Sequence, residues 1–295
     1  MKQVLIFCAV VWLVNGCTNG PVVWPDDHKS VYLGDKASPQ KALVIGNGAY
    51  EFWSLGNTTN DAEDVANELA GMNFHVIRKL DLNRQEMLAA IQEFVELLKN
   101  TSVEGRVAFF FFAGHGTHVD KDNFLIPINN NVIKRSRQLQ DAAVNVGTEI
   151  VAAMEMANEN GVNLIVLDAC RNNPFPTLIT RGLDRGFVEE EVTEMEAEKT
   201  TEKPEEAPKG TMIAYAADIG ETTLDGEQRD RNSVYTKHLL KKLREAKKQT
   251  QVNVRQMFLD VQKLVSQETG QTPWLTAELT DGVCIRSEAG MGKCQ

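Results

Sequence analysis

The chain has 295 residues, 42% hydrophobic and 24% charged, with 31 Lys and Arg against 41 Asp and Glu and a formal net charge of −10. That is the composition of a globular protein with room for one sizeable core. It counts against nucleic acid as a partner, because phosphate binding needs clustered Lys and Arg and this acidic chain has no long basic stretch.

The chain opens MKQVLIFCAVVWLVNGC. One lysine precedes an apolar run from Val4 to Val14, which is short of the roughly 20 residues that span a bilayer and is laid out like a secretory signal. Val14-Asn15-Gly16-Cys17 resembles a bacterial lipoprotein signal, cut before Cys17 so that the cysteine takes lipid, although Asn15 is uncommon at its position. Residues 1–16 then read as signal and 17–40 as a turn-rich tether. The exported protein would sit at the periplasmic face of a bacterial membrane as a lipoprotein; a plain cleaved signal is the alternative. Of the five cysteines, Cys8 leaves with the signal and Cys17 is lipidated on this reading. Cys284 and Cys294 are close enough to pair in an oxidising compartment, or remain as two thiols in a tail. Cys170, at the end of an apolar run, is left over.

KALVIG (41–46) is a short strand. NDAEDVANELAGM (60–72) is helical, with Asn60 as expected cap and Glu63 at the capping-box position. FHVIRKL (74–80) is a second strand, and RQEMLAAIQEFVELLKN (84–100) an amphipathic helix with Met87, Ile91, Phe94, Val95 and Leu98 on its core face. RVAFFFFAG (106–114) is a third strand, FLIPI (124–128) a short edge strand, VGTEIVAAMEMAN (146–158) a helix and VNLIVLDAC (162–170) a fourth strand. Residues 188–209 are rich in Glu, Lys, Thr and Pro and read as a solvated linker. Beyond it come a strand, GTMIAYAAD (210–218), two helices, SVYTKHLLKKLREA (233–246) and VRQMFLDVQKLVSQ (254–267), and two segments, WLTAEL and GVCIR, placed to close the sheet. Strands alternating with helices predict an α/β fold: a mostly parallel sheet covered on both faces, with its site at the carboxyl ends of the strands.

His115 and Cys170 each lie at such an end. A histidine beside a cysteine can draw off the thiol proton and return it to a leaving amine. The N–H groups of Gly116 and Cys170 can stabilise an oxyanion, and the glycines flanking His115 admit a substrate backbone. From the chemistry alone, a buried structural cysteine with a hydrogen-bonded histidine reads equally well.

Five stretches in order, KALVIGNGAY, NDAEDVANELAGMNFHV, FFFFAGHG, LIVLDACRNNPF and MIAYAA…LDG…NSVYTKHLL, resemble the caspase-like cysteine peptidases, in particular the bacterial metacaspase-like (orthocaspase) branch. The resemblance implies a caspase–haemoglobinase fold with a large-subunit-like part (41–187), a small-subunit-like part (210–286) and a tail (287–295). It implies a dyad of Cys170 as nucleophile and His115 as acid and base, with backbone groups orienting the histidine. Asp168 stands where caspases carry a glutamine, as in metacaspases, which cleave after Arg or Lys. Asp225 falls near a caspase pocket arginine, and Asp61 is a third contributor or a helix-terminus charge. Two carboxylates favour a guanidinium, which can pair with both. The partners implied are peptides with Arg or Lys before the scissile bond.

Phe52 and Trp53 follow the first strand and either wall the cleft or pack on the sheet. Arg181, Arg185, Lys199, Lys203 and Lys209 in or beside the linker leave self-cleavage open. The resemblance leaves calcium open, with Asp120 and Asp122 as a candidate pair, but calcium takes about six to eight oxygens and two carboxylates do not make a site; no metal or other cofactor is expected. Two rivals remain: a catalytically silent protein that binds peptides through the same cleft, and a nucleotide-binding domain using the lone GNG at 46–48. Oligomeric state is not legible.

Overall fold

A computed structural model describes residues 30–102, 106–119, 121–171, 207–218, 230–279, 282–286 and 290–294. The expected signal and Cys17, Asp120, Asp225, Arg181, Arg185, Lys199 and Lys203 lie outside the described residues.

β1 (Ser30–Leu33) and β2 (Gln40–Gly46) lead to α1 (Thr58–Ala70), and β3 (His75–Leu80) to α2 (Arg84–Lys99). β4 (Val107–Gly114) passes into β5 (Gly116–Val119) and β6 (Asp122–Leu125). The chain continues through α3 (Leu139–Ala142), β7 (Val144–Asn145), a π-helical segment Val146–Val151 and α4 (Ala152–Ala157) to β8 (Val162–Ala169). Then come β9 (Thr211–Tyr215), α5 (Val234–Ala246), β10 (Gln251–Asn253), α6 (Val254–Thr269), β11 (Trp274–Ala277), β12 (Val283–Arg286) and β13 (Gly290–Lys293).

Seven strands form the main sheet in the order β1-β3-β2-β4-β8-β9-β11. β3, β2, β4, β8 and β9 are mutually parallel, and β1 and β11 close the two edges antiparallel. The run of four phenylalanines explains how this sheet is covered. Alternate side chains of a strand point to opposite faces. Phe109 and Phe111 enter the cluster under α1, α5 and α6, while Phe110 and Phe112 enter the one under α2 and α4. Each is at most 1% exposed, and burying such a ring contributes about 1.5–3 kcal/mol. Because β8 and β9 are paired within one sheet, the parts before and after the linker share one core.

Several expectations are corrected. Residues 30–33 are not tether but an edge strand, paired with β3 from Ser30↔Lys79 to Leu33↔Val76. FLIPI does not edge the main sheet; β6 joins a separate small sheet with β5 and β7. WLTAEL supplies β11 and closes the main sheet, whereas GVCIR supplies β12 of a third sheet with β10 and β13. α1 starts before Asn60: its N-cap is Asn57, which makes no side-chain cap bond, and Glu63 pairs with Arg78 and Arg231 instead. The helix expected at 146–158 opens with the π-helical segment, its Asn145 side chain accepting from the Thr148 N–H at 3.0 Å.

Candidate active site

β4 and β8 run side by side to their carboxyl ends, where Gly114 stands opposite Ala169. His115 and Cys170 are the next residue on each chain. Neighbouring strands lie about 4.8 Å apart, so the sheet brings imidazole- and thiol-bearing residues to adjacent positions from sequence separations of tens of residues. Both side chains are half-buried.

The flanking glycines are required by space. A Cβ on Gly114 would lie 2.4 Å from the Tyr50 Oη, and one on Gly116 would lie 2.9 Å from both the Cys170 carbonyl oxygen and the Ala169 Cβ. Gly116 therefore borders the cysteine directly, and any side chain there would push the two strand ends apart.

His115 is held at three points. Its N–H donates to the Tyr50 hydroxyl at 2.8 Å, and that hydroxyl donates onward to the Ile126 carbonyl at 3.1 Å. Burial raises the Tyr50 pKa well above the ordinary phenol value, so Tyr50 stays a neutral relay. The His115 carbonyl accepts from the Ile126 N–H at 2.9 Å, and the two rings lie 4.4 Å apart. The third point is at the imidazole: Nε2 sits 2.6 Å from the Trp53 carbonyl oxygen. A carbonyl only accepts, so Nε2 carries the proton and Nδ1 is left to exchange one.

The loop bearing Tyr50 and Trp53 is itself anchored. Buried Asn47 accepts from the Leu82 N–H at 2.9 Å, and Asp81 accepts from the Gly48 and Ala49 N–H groups, each at 2.8 Å. The GNG glycines serve this packing, since a Cβ on Gly46 would meet the Thr58 carbonyl at 2.5 Å and one on Gly48 the Leu55 carbonyl at 2.8 Å. Phe52 and Trp53 are about half exposed, at 49% and 51%.

On the cysteine side, Asp168 precedes Cys170 by two residues and is 5% exposed; Asp61, in the first turn of α1, is fully buried. Ser233 joins them. Its N–H donates to Asp61 Oδ1 at 3.0 Å, and its hydroxyl donates to Asp168 Oδ2 at 2.5 Å. The Thr236 hydroxyl donates to the same Asp168 oxygen at 2.7 Å. Ser233 also caps α5, accepting from the Thr236 N–H at 3.0 Å, so the carboxylates face the positive end of a helix. Arg171, 4% exposed, lies 4.0 Å over the Tyr215 ring and donates to Asn123 at 3.0 Å, which fixes the chain just past the cysteine.

The structure thus brings together His115, Gly116, Cys170, Asp168 and Asp61. Asp122 opens β6, and among the described residues no group of three or more His, Cys, Asp or Glu side chains is placed to hold a metal ion. Cys284 and Cys294 are joined at an S–S distance of 2.10 Å, away from Cys170 in the small third sheet. The linker's last basic residue, Lys209, pairs through its backbone with Glu278 beside β11 in an isolated parallel β-bridge. Among the described residues no helix is long and apolar enough to cross a membrane. Sequence reasoning missed Tyr50, the Trp53 carbonyl and Ser233. A serine directly before the helical run 234–246 is an N-cap signal that marks the last; a backbone carbonyl leaves no mark in a sequence.

The family model described as "Caspase domain" matches residues 39–283. The chain is 28% identical over 148 residues to the mucosa-associated lymphoid tissue lymphoma translocation protein 1 of Homo sapiens, covering 50% of this chain and 17% of that protein. It is 29% identical over 146 residues to the Mus musculus homolog, covering 49% and 16%. The chain therefore aligns with less than a fifth of the length of these relatives.

Proposed function

Since the chain belongs to the caspase-domain family of cysteine peptidases and has the caspase–haemoglobinase fold, we propose that it is an endopeptidase cleaving after Arg or Lys, with Cys170 and His115 as its dyad. The observation that carries this is the strand-end register: Gly114 opposite Ala169 delivers both groups to one place. The Cys170 thiolate adds to the scissile carbonyl while the N–H groups of Gly116 and Cys170 receive the oxyanion. The C–N bond breaks as His115 Nδ1 gives its proton to the leaving amine, and a thioester remains. Water then attacks the thioester with Nδ1 as base, which releases the acid and restores the thiol.

The basic-residue preference is supported by Asp61 and Asp168, two buried carboxylates tied to one serine beside the cysteine. Asp225 is assigned to the same pocket from the sequence. The N-terminal segment and the Cys284–Cys294 disulfide support export to an oxidising compartment, where lipid on Cys17 would anchor the protein.

The test is turnover of fluorogenic peptides ending in Arg, Lys or Asp by the protein and by Cys170→Ala and His115→Ala. Arg and Lys peptides should be cleaved and both variants should be inert. Cleavage after Asp alone would remove the pocket assignment and keep the dyad; activity surviving Cys170→Ala would remove the dyad.

A further inference from the structure

The histidine is oriented by a carbonyl that belongs to an exposed loop, and the question is what holds that carbonyl still. Packing does not, since Phe52 and Trp53 leave about half of their surface in solvent. Nor does backbone preference. Trp53 has φ +60°, a left-handed conformation that a bulky residue keeps only where its surroundings over-determine it.

Asn130 supplies the constraint. The residue is 8% exposed. Its Oδ1 accepts from the Phe52 N–H at 2.9 Å, and its Nδ2 donates to the Phe52 carbonyl at 2.8 Å. One carboxamide thus grips both backbone groups of the residue before Trp53, as a neighbouring strand would. The adjacent Glu51 N–H donates to the Ile128 carbonyl at 3.0 Å, so residues 51–52 lie along 128–130. With Phe52 fixed on one side and His115 Nε2 on the other, the Trp53 peptide has little freedom to turn.

We propose that Asn130 is a positioning residue for His115: by clamping Phe52 it aims the Trp53 carbonyl at Nε2 and so sets the imidazole's tautomer and orientation. The choice of amide follows. Aspartate at 130 can accept from the Phe52 N–H but has no proton for the Phe52 carbonyl, so it makes half the clamp and sets two oxygens against each other. The clamp uses only main-chain atoms of Phe52, so that side chain is dispensable to it. The kinetic consequence rests on the peptidase reading above; the geometric one does not.

The experiment reads His115 itself. In full-length protein carrying Cys170→Ala, labelled with ¹³C at histidine Cε1, the His115 resonance is assigned by its loss in His115→Ala and titrated by NMR. The Nε2–H···O=C bond favours the imidazolium. Adding Asn130→Ala or the uncharged, similar-sized Asn130→Leu should therefore lower the His115 pKa, and adding Phe52→Ala should leave it in place. With Cys170 present, Asn130→Ala should reduce kcat on an Arg peptide about tenfold with KM little changed, the pattern of a misaimed group. An unchanged His115 pKa in both Asn130 variants overturns the proposal, as does an equal drop in Phe52→Ala. If Asn130→Ala does not fold, Asn130→Leu carries the same comparison. A lowered pKa in a protein that cleaves nothing keeps the clamp and removes the peptidase reading, so the two fail separately.

Discussion

At the amino end of the parallel strands, three basic side chains are buried: Lys41, His75 and Arg106. At the carboxyl end, two acidic ones are, Asp61 and Asp168, with Arg171 as a buried base there. The bases are turned into structure. Lys41 Nζ donates to the Lys36 carbonyl at 2.6 Å, and His75 Nδ1 lies 3.2 Å from the Leu33 carbonyl. Arg106 donates to the carbonyls of Leu98, Thr101 and Glu159 at 2.9–3.2 Å. Burial lowers the pKa of all three. The acids also hold structure, through Ser233 and Thr236. They differ in standing beside the strand ends that carry Cys170 and His115. A buried charge alone does not mark a site, because backbone carbonyls and helix ends can hold one at either end of a sheet. Its neighbours decide.

The sharpest way to break this comparison is at Asp168. Asp168→Ala removes the charge proposed for the pocket and takes from the Ser233 and Thr236 hydroxyls the acceptor they share. Turnover of Arg peptides should fall about a hundredfold or more, in line with losing one partner of a buried charged pair, and the melting temperature should drop as well. Asp168→Asn keeps an acceptor and loses only the charge. Its melting temperature should stay near the parent's while Arg turnover remains lost. If Asn restores turnover, Asp168 acts as a helix anchor and not as a charge.

The amino end should show the opposite pattern. Arg106 caps the chain after α2 and ties it to the turn before β8. Arg106→Ala should cost about 2–3 kcal/mol of stability, read from a denaturant midpoint, with kcat/KM unchanged among the molecules that remain folded. A change in kcat/KM without unfolding would couple the two ends and weaken the contrast.

How much of this was legible follows the same division. β2, β3, β4, β8 and α2 stand out in the sequence because continuous apolar runs and 3.6-residue spacing report burial directly. β1 does not, since SVYL pairs on one side only and is partly exposed. The N-cap of α1 falls at Asn57 and not at Asn60: the two are equally good caps by composition, and the backbone decides between them, the Asp61 N–H donating to the Asn57 carbonyl at 2.8 Å. His115 and Cys170 could be read because side-chain chemistry is written in the sequence. The carbonyl that orients His115 could not, because every residue has one and a fold alone selects Trp53.

The smallest effect is a pH dependence confined to the amino end. His75 is held below the ordinary histidine value of 6.5 first by burial and then by the charge of Lys41, its register partner, with Lys36 adding to it. The native state therefore refuses a proton that the unfolded chain accepts. Unfolding takes up protons as the pH falls through 6.5, so His75 destabilises the protein there and has no such effect above it. Urea midpoints measured from pH 8 down to 5 should fall more steeply for the parent than for His75→Gln, and the two curves should run parallel above pH 7. Because the two proteins differ only at residue 75, the difference between the curves isolates one imidazole. A matching difference in kcat/KM would mean that the amino end reaches the site after all.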